Sequence, residues 1–172
     1  MNDFEIQDEP IVKKKRPIFL LVLVILSSLN MSVSILGTFS GMVGSKPDAK
    51  MFKQAKLEFA NMREQLEEGG AADFTYIIDQ MESVTDNMFK HFQAYNTVQF
   101  LILVLGLTGV ILMYQSRKLG FHFYIIYSIG LVVLPYLFNP ITGIPTILTI
   151  VGILYGGLWV LLYSRNLHWM EA

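Results

Sequence analysis

A chain of 172 residues with no cysteine rules out disulfides and thiolate chemistry, and 13 basic against 14 acidic residues leave a net charge of -1 with no basic stripe for nucleic acid. The chain is 53% apolar with a mean hydropathy of +0.47, high for a soluble domain of this length. Most of that apolar content lies in four blocks that contain no Asp, Glu, Lys or Arg. About 20 apolar residues cross the roughly 30 Å of a bilayer's hydrocarbon, and one charge at the centre of a span costs about 2.5–3.5 kcal/mol, so blocks this clean read as transmembrane helices. The predicted fold is all-α: a polytopic membrane protein with four transmembrane helices and an extracytoplasmic antiparallel helical hairpin.

Residues 1–16 form an N-terminal tail, acidic and aperiodic up to Pro10 and then basic at Lys13, Lys14, Lys15 and Arg16. The basic run and the apolar stretch after it resemble a signal peptide. No Ala-x-Ala site occurs before Val43, so the segment is expected to stay as an uncleaved anchor. The first span is placed at residues 17–43. Its second half carries Ser27, Asn30, Ser34, Gly37 and Gly41 at helical spacing, a small polar face that must look at another helix or a wet cavity. Thr108, Thr146 or Thr149 are candidate hydrogen-bond partners for it.

Residues 44–95 gain charge and lose continuous hydrophobicity. Ser45 and Pro47 resemble a helix start, with serine as the cap. Phe52, Phe59, Met62 and Leu66, then Phe74, Ile77, Met81, Val84 and Met88, recur at helical spacings on either side of Gly69-Gly70. Two amphipathic helices joined by a turn at residues 69–70 follow from this pattern. The second is expected to run into the membrane unbroken, since no Gly or Pro lies between Asp73 and Gln99. A helical pair covers only one side of each member, so these stripe residues are expected to face a second copy of the chain or a partner protein as well.

The second span is placed at residues 98–114, closed by a short turn carrying Arg117 and Lys118. The third covers 120–138, bent by Pro135, and the dense turn signal from Asn139 to Pro145 leads to the fourth at 146–163. Residues 164–172 form a second tail, with Tyr163, Arg165 and Trp169 read as an interfacial anchor. Gly152, Gly156 and Gly157 in the fourth span, like Gly37 and Gly41 in the first, mark close helix packing. Seven basic residues flank the assigned cytoplasmic ends of the spans, against six in the long excursion. Their density beside the bilayer favours cytoplasmic termini.

No catalytic, metal or cofactor-binding set emerges. His91, His122 and His168 lack the short spacing of metal-binding pairs, and the hairpin carboxylates, spread over two helices, read as a solvated face. The stretch from Arg117 to Ile126, continuing through Leu134-Pro135-Tyr136-Leu137-Phe138, resembles a basic turn followed by a glycine and an aromatic span start in small multi-span membrane proteins of Bacteroidota-type bacteria. Those proteins have no assigned activity, so the resemblance implies a bacterial inner membrane and no catalytic residue. The expected role is non-enzymatic: a subunit or accessory factor of an inner-membrane complex, meeting another membrane protein or a second copy of itself through the hairpin and the glycine faces. The alternative is a small transporter or channel lined by Ser27, Asn30 and Ser34.

Overall fold

The computed structural model describes residues 17–44, 46 and 48–170, and the acidic lead at the N-terminus lies outside them, as do Ser45 and Pro47. The described chain is all-α. Its α-helices are α1 (Ile18–Val43), α2 (Ala49–Glu68), α3 (Thr75–Lys90), α4 (Phe92–Tyr114), α5 (Leu119–Val133) and α6 (Thr146–Ser164). Four helical stretches are long and apolar enough to cross a membrane: Ile18–Val43, Phe92–Tyr114, Leu119–Leu137 and Thr146–Trp169. They match the expected spans closely, although the second begins six residues earlier than residue 98.

α1, α4, α5 and α6 run alternately up and down. α1 packs along α4 and α4 along α5, α6 leans on α5, and α1 and α6 touch over only a short stretch. The tightest contact lies between α4 and α5, where Gly109 and Gly120 bring two backbones together. A Cβ on Gly120 would lie 2.6 Å from the Met113 backbone nitrogen, and one on Gly109 would lie 2.8 Å from the Gly120 carbonyl oxygen. Around this contact sits the bundle's densest core, with Leu20, Val110, Met113 and Tyr163 fully buried. The tail closes that end: a 3-10 turn, Leu167–Trp169, folds back and buries Trp169 and Met170 against the cluster. Of the residues read as an interfacial anchor, Tyr163 and Trp169 are buried at the bundle's end.

α2 and α3 form the expected hairpin. α2 ends in a Schellman motif, with Gly70 at φ +74°, the Ala71 N–H donating to the Leu66 carbonyl at 2.7 Å and the Gly70 N–H donating to Glu67 at 3.1 Å. The turn after α4 repeats the motif without glycine. Ser116 stands at φ +70°, and the Arg117 N–H donates to Leu112 at 2.9 Å. At the start of α2, Asp48 holds the cap position and makes no side-chain cap hydrogen bond.

The expectation of one continuous helix from hairpin to membrane is also corrected. α3 stops at Lys90 and α4 starts at Phe92, with His91 at φ -107°, ψ 27° between them. The bend lets α3 lie over the turn after the third span while α4 stays along α1. There the Asn87 amide donates to Asn139 Oδ1 at 2.9 Å, and the Gln80 amide donates to the Thr142 carbonyl at 2.9 Å. Phe138 receives the rings of His91 and Tyr95 with centroids at 5.9 and 5.5 Å. Asn139 is buried and also donates to the Pro135 carbonyl at 2.8 Å, binding the end of the third span to the hairpin. Pro135 itself stands near the start of a 3-10 turn, Leu134–Leu137, which continues the span past the end of α5.

Candidate functional site

The hairpin stripe is spent only in part within the hairpin. Phe59 and Ile78 are buried between α2 and α3, and Phe52 stacks on Phe89 with ring centroids 4.9 Å apart. Leu66, Ile77, Met81, Val84 and Met88 are half-buried, whereas Met62 and Phe74 are exposed. Ion pairs run alongside: Lys56 meets Asp86 at 3.1 Å and Glu82 at 3.6 Å, and Arg63 meets Asp79 and Glu82. The hydrogen bond that Lys56 donates to Asp86, and the negative charge of Asp86 and Glu82, raise the Lys56 pKa above its usual 10.5, against a smaller desolvation effect.

The glycines divide. Gly41 packs against the Asn96 side chain, so a Cβ there would lie 2.6 Å from its amide oxygen. Gly152 and Gly156 face Val132 and Ser128 of α5 at ordinary contact distance. Gly37 and Gly157 meet nothing within 4 Å among the described residues. The close approaches are at Gly106, which lies under the Tyr127 ring, and at Gly109, Gly120 and Gly130. Sequence reasoning passed over these four. The signal was present in the pair Gly106 and Gly109 on one span with Gly120 opening the next, across a turn short enough to make the two helices neighbours.

The polar face of α1 has a different fate from the glycines. Ser27, Asn30 and Ser34 line one wall of a cavity of about 330 Å³ between α1, α4, α5 and α6, in the half of the bundle nearer the hairpin. That volume lies at the lower end of the roughly 300–1,000 Å³ typical of small-molecule sites. Its lower part is bounded by Ser27, Tyr124 and Trp159, the opposite wall carries Tyr127, Ser128, Tyr155 and Gly156, and Gln99 completes the α4 side. Pro135, Tyr136, Ile144 and Thr149 bound the upper end, and Val84 reaches it from the hairpin. No acidic or basic residue and no histidine lines the cavity.

Below the cavity Ser27 is buried and accepts a hydrogen bond from the Tyr163 hydroxyl at 3.0 Å, with the Tyr124 ring 4.7 Å from that of Tyr163. The expected threonine partners are corrected. Thr108 turns back to its own helix, to the Val104 carbonyl, and Thr149 pairs with the Tyr136 hydroxyl at 2.6 Å. Thr146, at the start of α6, makes no hydrogen bond to the α1 face. Neither Asn30 nor Ser34 nor Gln99 hydrogen-bonds through its side chain to any described residue, so the cavity holds free donors and acceptors. Four unpaired or shareable polar side chains among aromatic walls, with no full charge, suit an uncharged ligand that is part apolar and part hydrogen-bonding.

Four apolar helices long enough to cross a membrane, arranged around such a cavity, define the class: an all-α polytopic membrane protein. The chain belongs to the family described as Domain of unknown function (DUF8777), whose match extends over residues 13–153. That match takes in the first three spans, the whole hairpin and the upper part of α6. No curated protein and no solved structure matches the chain.

Proposed function

We propose that this is a non-enzymatic, multi-pass protein of a bacterial inner membrane, with cytoplasmic termini and an extracytoplasmic hairpin, that binds a small uncharged molecule in its intramembrane cavity. The observation that carries this reading is the convergence of Ser27, Asn30 and Ser34 on one cavity wall with their hydrogen-bonding capacity largely unspent. Polar groups at bilayer depth are expensive unless something pairs with them. A lining of Ser, Asn, Gln, Thr, Tyr and Trp offers recognition without a general acid or base near neutral pH, which supports binding over catalysis. The dense core at Tyr163, Trp169 and Met170 closes the end where α1 begins and α6 ends and speaks against an open channel.

The test is saturable binding to the purified protein in nanodiscs, read from tryptophan fluorescence, with uncharged probes of both water-soluble and membrane-soluble kinds. Gly152→Phe, which fills the cavity from α6, should abolish binding while the protein remains monodisperse. Failure of every uncharged probe to saturate would remove the reading.

A second reading, an accessory subunit of a membrane complex, is favoured by apolar side chains left exposed on the hairpin at Met51, Leu57, Phe74 and Tyr76, and by the open faces at Gly37 and Gly157. Copurification of a stoichiometric partner in mild detergent, lost on Phe74→Ser with Met51→Ser, would favour it.

A further inference from the structure

The cavity has a mouth on the side of the bundle. α1 and α6 come together over a short stretch, where Tyr163 donates to Ser27, and part above it. Cavity-lining residues on both edges of this gap are exposed: Leu26 at 52% and Asn30 on α1, Leu148 at 47% and Tyr155 at 56% on α6. All four lie within stretches apolar enough to cross a membrane, so the gap faces hydrocarbon, not water. A ligand dissolved in the bilayer reaches such a mouth directly, whereas a water-soluble one must first partition into lipid.

The chemistry inside narrows the occupant. The donors of Asn30 and Gln99 and the hydroxyl of Ser34 stand on the α1 and α4 side, facing the aromatic side chains Tyr127, Tyr155 and Trp159. Amide and hydroxyl donors suit carbonyl oxygens, and aromatic walls suit a flat ring held by offset or edge contacts. A phosphate or other ionic headgroup would enter without a counter-charge, at a cost that the lining does not offset.

Resting on the binding role proposed above, we infer that the ligand is an uncharged membrane lipid with a flat, carbonyl-bearing head on an apolar tail, of quinone chemistry. It enters sideways between α1 and α6. Its ring lies between the Asn30 wall and the Tyr155–Trp159 wall, and its tail leaves through the lateral gap into the bilayer.

The experiment titrates a decyl-chain benzoquinone into the full-length protein in phosphatidylcholine nanodiscs and follows tryptophan quenching. Trp159 lines the site and Trp169 does not, so Trp169→Phe isolates the reporter; if that variant does not fold, the native pair is used. Quenching should saturate at one ligand per chain, and Asn30→Leu or Ser34→Ala should each weaken it by about tenfold, the order expected for one lost hydrogen bond. A crosslink between cysteines introduced at Leu26 and Tyr155, unique in a chain that has none, should slow binding from the lipid phase. Quenching that rises without saturation, or is indifferent to both substitutions, overturns the inference. Saturable binding of a water-soluble uncharged solute with none of the quinone would overturn the lipid assignment and leave the binding function standing. Saturation by neither kind of probe would remove both.

Discussion

The two halves of the bundle are built from the same apolar alphabet, yet one is packed solid and the other is hollow. At the end where α1 begins and α6 ends, Gly109 and Gly120 let α4 and α5 touch backbone to backbone, and Tyr163, Met113 and Trp169 fill what remains. Toward the hairpin, helices α1 and α6 diverge, and the space between them is bounded by aromatic rings and by serine and amide side chains too short to reach across. Hydrophobicity cannot explain this difference, since lipid tails are as apolar as the helix surfaces. What differs is where glycines bring two backbones together and where the helices stand apart around a lined cavity.

The sharpest way to break that contrast is at its tight end. Gly120→Leu forces a side chain against the Met113 backbone and the Gly109 carbonyl, which have no rotamer to yield. A loss of about 3 kcal/mol or more is expected from overpacking a backbone contact, seen as a lower unfolding temperature in detergent. Gly37→Leu, which meets open space, should change stability little by the same measurement.

Next in size is the joint between hairpin and bundle. Asn87→Ala leaves the buried Asn139 Oδ1 unpaired, at a cost of about 1–3 kcal/mol. Amide exchange should quicken across α3 and leave α4 protected. Tyr163→Phe removes the hydrogen bond that, among the described residues, ties α1 to α6 beneath the cavity, worth about 0.6–1.7 kcal/mol. It should widen the lateral gap, detected as faster reaction of a cysteine placed at Leu26. The smallest effect is electrostatic. Lys56 has its pKa raised by Asp86 and Glu82, so its ion pairs contribute fully below its ordinary value near 10.5 and fade only as pH climbs through the raised one. Hairpin exchange rates, corrected for intrinsic chemistry, should therefore stay level to about pH 10 and rise above it.

Span number and position were legible in the sequence because charge exclusion from hydrocarbon is a local, residue-by-residue penalty. So was the turn at Gly69-Gly70, where a positive φ falls to the residue that adopts it most readily. The break at His91 was not legible: no glycine or proline marks it, and it goes with α3 lying over the turn after the third span, through Asn87, while α4 packs along α1. The turn at Ser116 was equally silent, since a Schellman motif there rests on backbone hydrogen bonds and not on a residue type. The polar face of α1 was expected to need a partner or a cavity, and its residues divide: Ser27 meets Tyr163, while Asn30 and Ser34 line the cavity. Which of the two prevailed depended on Tyr163 reaching Ser27 but nothing reaching Asn30, a matter of tertiary distance that no helical spacing encodes.

An uncharged cavity in uncharged spans has a further consequence. A unit charge moved across a membrane potential of 100 mV exchanges about 2.3 kcal/mol with the field. Here neither lining nor neutral occupant carries such a charge, so voltage does almost no work on binding or release. On the proposed binding role, occupancy would follow the concentration of the neutral ligand in the lipid phase and stay the same whether the membrane is energised or depolarised.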